Sequence, residues 1–164
     1  SAMITHRELL EEVAGEKRLT FISTGMSTYE QIDQAVAVFE RHQCPYVLMH
    51  CVSNYPANEQ ELNLRCMVEL WRRYKCPVGY SGHEVTMIPS VLAAMMGAVA
   101  VERHITLDRA MYGSDQAASL EKRGLELLTS YIRTIPRVMG DGVKRVTTAE
   151  EAIAKKLRYW KSHF

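Results

Sequence analysis

The chain has 164 residues, 47% of them hydrophobic and 24% charged, with a formal net charge of +1. That length supports one domain with its own core. The near-neutral charge leaves no electrostatic footprint for nucleic acid or an anionic membrane surface. No apolar run reaches the length of a membrane span and no secretory segment is evident, so a cytoplasmic location is expected. Cys44, Cys51, Cys66 and Cys76 lack CxxC spacing and read as reduced, mostly buried thiols. Ser1 and Ala2, ahead of Met3, look like the remnant of a removed tag.

In chain order, Thr5-His6-Arg7-Glu8 reads as a capping box opening a helix through Val13, with Gly15 ending it. Leu19 to Ile22 is a short apolar strand with the loop Ser23-Thr24-Gly25-Met26 at its end. Ser27 to Glu30 reads as a second capping box, and Ile32, Ala35, Val36 and Phe39 are spaced for one buried helix face. After Pro45, Tyr46 to His50 forms the next strand. A helix is expected from about Glu61 to Tyr74, with Leu64, Met67, Val68 and Trp71 facing inward.

The stretch Val78 to Asp108 organises the rest. Val78-Gly79-Tyr80 is a strand ending in Ser81-Gly82-His83, Ile88 to Met96 a compact apolar helix stopped by Gly97, and Ala98 to Glu102 a strand ending in Arg103-His104. Strands in a βαβ unit run parallel, so each delivers one histidine to the same rim. α/β folds place their chemistry at that rim. Two imidazoles there suit a divalent metal with positions left for substrate. The competing reading is a pair of hydrogen-bonded structural histidines. Beyond a long polar loop, Ser119 is expected to cap a helix through about Val138, buried along Leu125, Leu128 and Ile132. Thr147 opens a final amphipathic helix.

The count is four parallel βα units, either a small doubly wound sheet or half of a (β/α)8 TIM barrel. The helix from Thr5 to Val13 ahead of the first strand, as if left over from an earlier unit, favours the half-barrel. Residues 3–146 are assigned to that half-barrel and 147–164 to a C-terminal helix packing on it. A half-barrel leaves two open strand edges, so closure by a symmetry mate, as a homodimer, is expected.

Six motifs occur in order: STGM from Ser23, HCVSNYP from His50, GYSGH from Gly79, ERHIT from Glu102, GSDQAASLE from Gly113 and GDGVK from Gly140. With them the chain resembles the C-terminal half of the sialic acid synthase family (N-acetylneuraminate synthase, NeuB-type). The resemblance implies metal-assisted condensation of phosphoenolpyruvate with an N-acetylhexosamine such as N-acetylmannosamine, releasing phosphate. It implies a divalent cofactor, Mn2+ or Mg2+, on His83 and His104. Phosphoenolpyruvate contacts fall on Ser23, Ser53 and Ser81, and sugar contacts on Tyr55 and Asp115. Where many relatives have Asp this chain has Gly82, which removes a carboxylate beside His83, and where they have an imidazole it has Gln116. The family's phosphate-neutralising lysines and acid/base glutamate belong to four earlier βα units, so this stretch alone is expected to be inactive. Two further readings are a different metal-assisted aldolase-type barrel and a non-catalytic half-barrel used for binding or assembly. The first would want a basic phosphate cluster, for which only Arg103 and Arg109 are at hand.

Overall fold

The computed structural model describes residues 1–160. Internal contacts divide the chain into two units, Ser1–Arg133 and Thr134–Phe164. The first unit holds one parallel sheet of order β1-β2-β3-β4, formed by β1 (Thr20–Ser23), β2 (Tyr46–His50), β3 (Val78–Gly82) and β4 (Val101–Arg103). Helices α1 (Arg7–Gly15), α2 (Tyr29–Arg41), α3 (Cys66–Tyr74) and α4 (Ile88–Met95) alternate with the strands. Helix α5 (Lys122–Met139) begins in the first unit, and α6 (Thr148–Leu157) lies in the second.

Side-chain alternation decides which face of the sheet meets the helices. Ile22, Leu48, Val78 and Tyr80 join Ile32, Phe39, Met67, Leu70 and Ala93 in one buried core. The alternate residues, Phe21, Ser23, Val47, Met49, Gly79 and Ser81, therefore belong to the opposite, concave face of a curled half-barrel. A cavity of about 440 Å³ on that side is bounded by Phe21, Met49, Ala100 and Glu102 and by Leu125, Leu128 and Ile132 of α5. Of that expected α5 stripe only Leu128 is fully buried, and Leu125 remains exposed.

Several local expectations shift by a few residues, each for a physical reason. A 3-10 turn over Ala2–Thr5 takes up Thr5, so His6 caps α1, its Nδ1 accepting from Leu9 N at 3.2 Å. The left-handed residue after α1 is Lys17, φ 52°, and not Gly15. The second capping box is Thr28 with Gln31 rather than Ser27 with Glu30. The long third helix is interrupted: a 3-10 turn spans Glu59–Glu61, Asn63 has φ 43°, and α3 starts only at Cys66. That rotates its buried stripe onto Met67 and Leu70 and leaves Trp71 55% exposed, with the Lys75 ammonium 5.3 Å from its ring centroid. Gly97 follows α4 at φ 100°, as a helix stop requires. Ser119 does not cap α5. Its hydroxyl donates to Asp115 O at 2.8 Å inside the preceding loop. Thr147 with Glu150 does form a capping box on α6, and residues 161–164 of the expected terminal helix lie outside the described residues. All four cysteines are free thiols.

Candidate active site

The parallel register sets the site's floor. Ser23 is level with Met49 and Gly79, and Ser81, two residues further along β3, is level with Glu102. Past the last rung, Gly82↔Arg103, the chain continues into His83 and His104. Two backbone bridges extend order into the rim. Ala57 N donates to His83 O at 2.9 Å, and Leu120 N donates to His104 O at 2.8 Å. The first draws in the loop carrying Ser53 and Tyr55, the second the loop carrying Asp115.

His83 and His104 meet with ring centroids 5.2 Å apart. Tyr55 closes the triangle, 4.4 Å from the His83 ring and 5.5 Å from the His104 ring. His83 Nδ1 lies 2.8 Å from Val52 O. A carbonyl only accepts, so Nδ1 carries the proton and the lone pair sits on Nε2. The nearest polar neighbour of Nε2 is Ser81 Oγ at 3.4 Å, and that hydroxyl spends its one proton on Glu102 Oε1 at 2.7 Å. The Nε2 lone pair is thus left without a donor. Burial lowers the His83 pKa from its ordinary value and the nearby His104 adds to this, against the opposing pull of Val52 O. The ring is therefore neutral at pH 7, as a metal ligand must be. His104 Nδ1 stands 3.6 Å from Asp115 Oδ2.

Among the described residues no group of three or more His, Cys, Asp or Glu side chains is arranged to hold a metal ion. The donor set is the imidazole pair. Two imidazoles, with the second nitrogen of His83 pinned by a carbonyl, fit a labile divalent ion that completes its shell with water or substrate.

The structure brings Ser53, Tyr55, Ser81, His83, His104 and Asp115 to one rim, with Ser23 one pleat repeat lower on β1. Ser53 Oγ is 3.0 Å from Ser1 Oγ, so the residue set aside as a tag remnant touches the rim. Gly25 is required there, because a Cβ would fall 2.2 Å from Ser53 Oγ and 2.9 Å from Cys51 Sγ.

Sequence reasoning missed the most buried charged pair among the described residues. Glu84 and Arg103 form an ion pair, Nη1 to Oε1 3.0 Å, with side-chain exposures of 0% and 2%. Tyr80 OH donates to Glu84 Oε2 at 2.8 Å, and Ser90 Oγ donates to Oε1 at 3.2 Å. Burial, reinforced by the Glu84 charge, raises the Tyr80 pKa and keeps the phenol a donor. The available signal was a charged residue beside each histidine in otherwise apolar strands. Gly82 also acquires its reason. A Cβ there would sit 2.9 Å from both Glu84 carboxylate oxygens and from Arg103 Cδ. The space a residue-82 side chain would take is filled by the carboxylate of Glu84.

The NeuB family profile matches residues 1–144. The chain is 36% identical over 154 residues to the N,N'-diacetyllegionaminic acid synthase of Campylobacter jejuni, covering 92% of this chain and 46% of that protein. It is 36% identical over 149 residues to human N-acetylneuraminate-9-phosphate synthase, covering 90% and 42%. The crystal structure of N-acetylneuraminic acid (sialic acid) synthetase from Leptospira borgpetersenii in complex with citrate superposes with a TM-score of 0.82 at 31% identity, covering 97% of this chain and 57% of that one. The chain spans about half the length of the curated relatives it matches. In sequence and in its curled four-stranded half-barrel, it belongs to the NeuB family.

Proposed function

We propose that the chain carries the metal-binding part, and some of the ligand contacts, of a synthase that condenses phosphoenolpyruvate with an N-acetylhexosamine aldehyde such as N-acetylmannosamine. In that reaction C3 of the enol bonds to the aldehyde carbon, water adds at C2, and phosphate leaves with C–O cleavage. The observation that carries the reading is the imidazole pair on adjacent strand ends, 5.2 Å between ring centroids, with the Nε2 lone pair of His83 uncommitted. His83 and His104 would hold the divalent ion. Its contribution is Lewis-acid polarisation of the aldehyde oxygen. Nitrogen donors favour Mn2+ over Mg2+, which prefers oxygen and sheds water reluctantly.

The other residues take roles fitted to their chemistry. Ser23 and Ser53 offer hydroxyls to carboxylate or phosphate oxygens. Ser81 gives its proton to Glu102, so direct donation to phosphoenolpyruvate requires that bond to be exchanged. Tyr55 supplies a ring beside both imidazoles, and Asp115 accepts from sugar hydroxyls. The lysines and acid/base glutamate of the family are assigned to other βα units, so this chain by itself binds without turning over. The biosynthetic setting of such a reaction is cytoplasmic, and among the described residues no helix is long and apolar enough to cross a membrane.

Calorimetry with phosphoenolpyruvate on the Mn2+-loaded chain tests the assignment. Ser53→Ala is expected to weaken binding by roughly tenfold or more, the loss of one hydrogen bond to a charged group at about 1.5–3 kcal/mol. No heat from the wild type at millimolar ligand, or none lost in Ser53→Ala and Ser23→Ala, would count against it.

One observation favours an assembly role beside this. Leu19 (58% exposed) and Phe21 (50%) at β1, and Val99 (60%) beside β4, lie at the two strands that end the sheet order among the described residues. A second copy pairing there would cover both edges. Light scattering should then give a mass near twice 18.7 kDa, and a concentration-independent monomer would remove that partner.

A further inference from the structure

The β3–β4 ladder stops at Gly82↔Arg103, one residue short of both histidines. Beyond it β3 and β4 no longer pair with each other: His83 O and His104 O are bound by Ala57 N and Leu120 N, on separate loops. Arg103 takes over. Its Nη1 donates to Glu84 Oε1 at 3.0 Å, to Thr86 O at 2.9 Å and to Ser90 Oγ at 3.1 Å. Its Nη2 donates to Glu84 O and, at 3.2 Å, to Ala118 O. One guanidinium thus joins the residue after His83, the residue before His104 and the turn that follows Asp115.

A buried ion pair is a weak device for stability, since desolvation cancels most of the attraction. This one even leaves Arg103 Nε buried without a partner. Contacts from one guanidinium to five acceptors, four of them within residues 84–90 and the fifth at Ala118, are worth more as geometry. Side-chain alternation puts Glu84 and Arg103 behind the rim while their neighbours His83 and His104 face the concave side.

We infer that Glu84 and Arg103 are positioning residues: the buried pair clamps the segments bearing His83, His104 and Asp115 into one arrangement and so sets how tightly the histidine pair holds a divalent cation. The inference rests on the metal reading of that pair.

Mn2+ calorimetry and the visible absorption of added Co2+ test it on the whole chain, with circular dichroism confirming fold. Glu84→Gln keeps the side chain's size but loses its charge, and should weaken Mn2+ by roughly 10- to 100-fold and alter the Co2+ bands. Ser90→Ala removes one hydroxyl shared by both partners and should weaken Mn2+ a few-fold. It decides the matter if Glu84→Gln fails to fold. Glu84→Asp, which restores the charge, should bind Mn2+ more tightly than Glu84→Gln. A wild type that binds Mn2+, with folded variants of unchanged affinity and Co2+ spectrum, overturns the clamp and leaves the metal reading standing. A wild type that binds neither ion overturns both.

Discussion

Replacing His83 and His104 together by alanine is expected to abolish Mn2+ binding measured by calorimetry. Each single replacement should cost about 100-fold or more, since loss of a partner outside the ligand shell already costs roughly 10- to 100-fold. The magnitude follows from how few donors there are. Among the described residues no third His, Cys, Asp or Glu joins the pair to hold a metal, so removing one imidazole takes half of the protein's direct hold. A hundredfold loss corresponds to about 2.7 kcal/mol. His83 is 4% exposed, so His83→Gln is the better single variant. Its amide can still donate to Val52 O while offering no imidazole nitrogen. Wild-type affinity in the folded double variant would place the cation elsewhere and end the assignment.

Gly82→Asp should be among the most destabilising substitutions in the chain, although the resemblance assigns Asp to this position in many relatives. The new Cβ would lie 2.9 Å from both oxygens of the Glu84 carboxylate and from Arg103 Cδ. Overpacking of this kind costs about 1–3 kcal/mol, and a second buried carboxylate facing the first adds like-charge repulsion and desolvation. A loss of roughly 3 kcal/mol or more is expected, lowering Tm by roughly 6–12 °C in a chain of this size. Gly82→Ala isolates the steric part, and Gly82→Asp/Glu84→Ser should recover much of the loss because the two positions compete for one space. Thermal unfolding followed by circular dichroism reads all three. A Gly82→Asp chain melting within 2 °C of wild type, or a double variant whose losses simply add, would sink the explanation.

The competition between residues 82 and 84 also marks where reading the sequence stops. Periodicity and turn residues were enough for the four strands, because apolar runs bounded by Gly, Pro and capping residues have few other folds. The same runs put His83 and His104 one residue past the last rung of adjacent parallel strands, where alternation sends both side chains to one face. Element ends were less legible. Thr5, Ser27 and Ser119 all look like caps, and each lost its helix end to a neighbouring turn or loop, since hydroxyls serve turns as readily as helices. Trp71 read as core because a continuous helix from Glu61 was assumed, and the break at Asn63 turned the stripe.

What the sequence determined by itself, then, was the four parallel βα units and the histidine pair, as consequences of local pattern, and the family, through the resemblance its six ordered motifs carry. The tertiary structure alone decided the protonated nitrogen of His83, the donation of the Ser81 hydroxyl to Glu102, and the clamp of Glu84 and Arg103 behind the rim. Those depend on which side chains from separate strands share a few ångströms of buried space. Nothing in the one-dimensional order of residues 84, 90, 103 and 118 says that they meet.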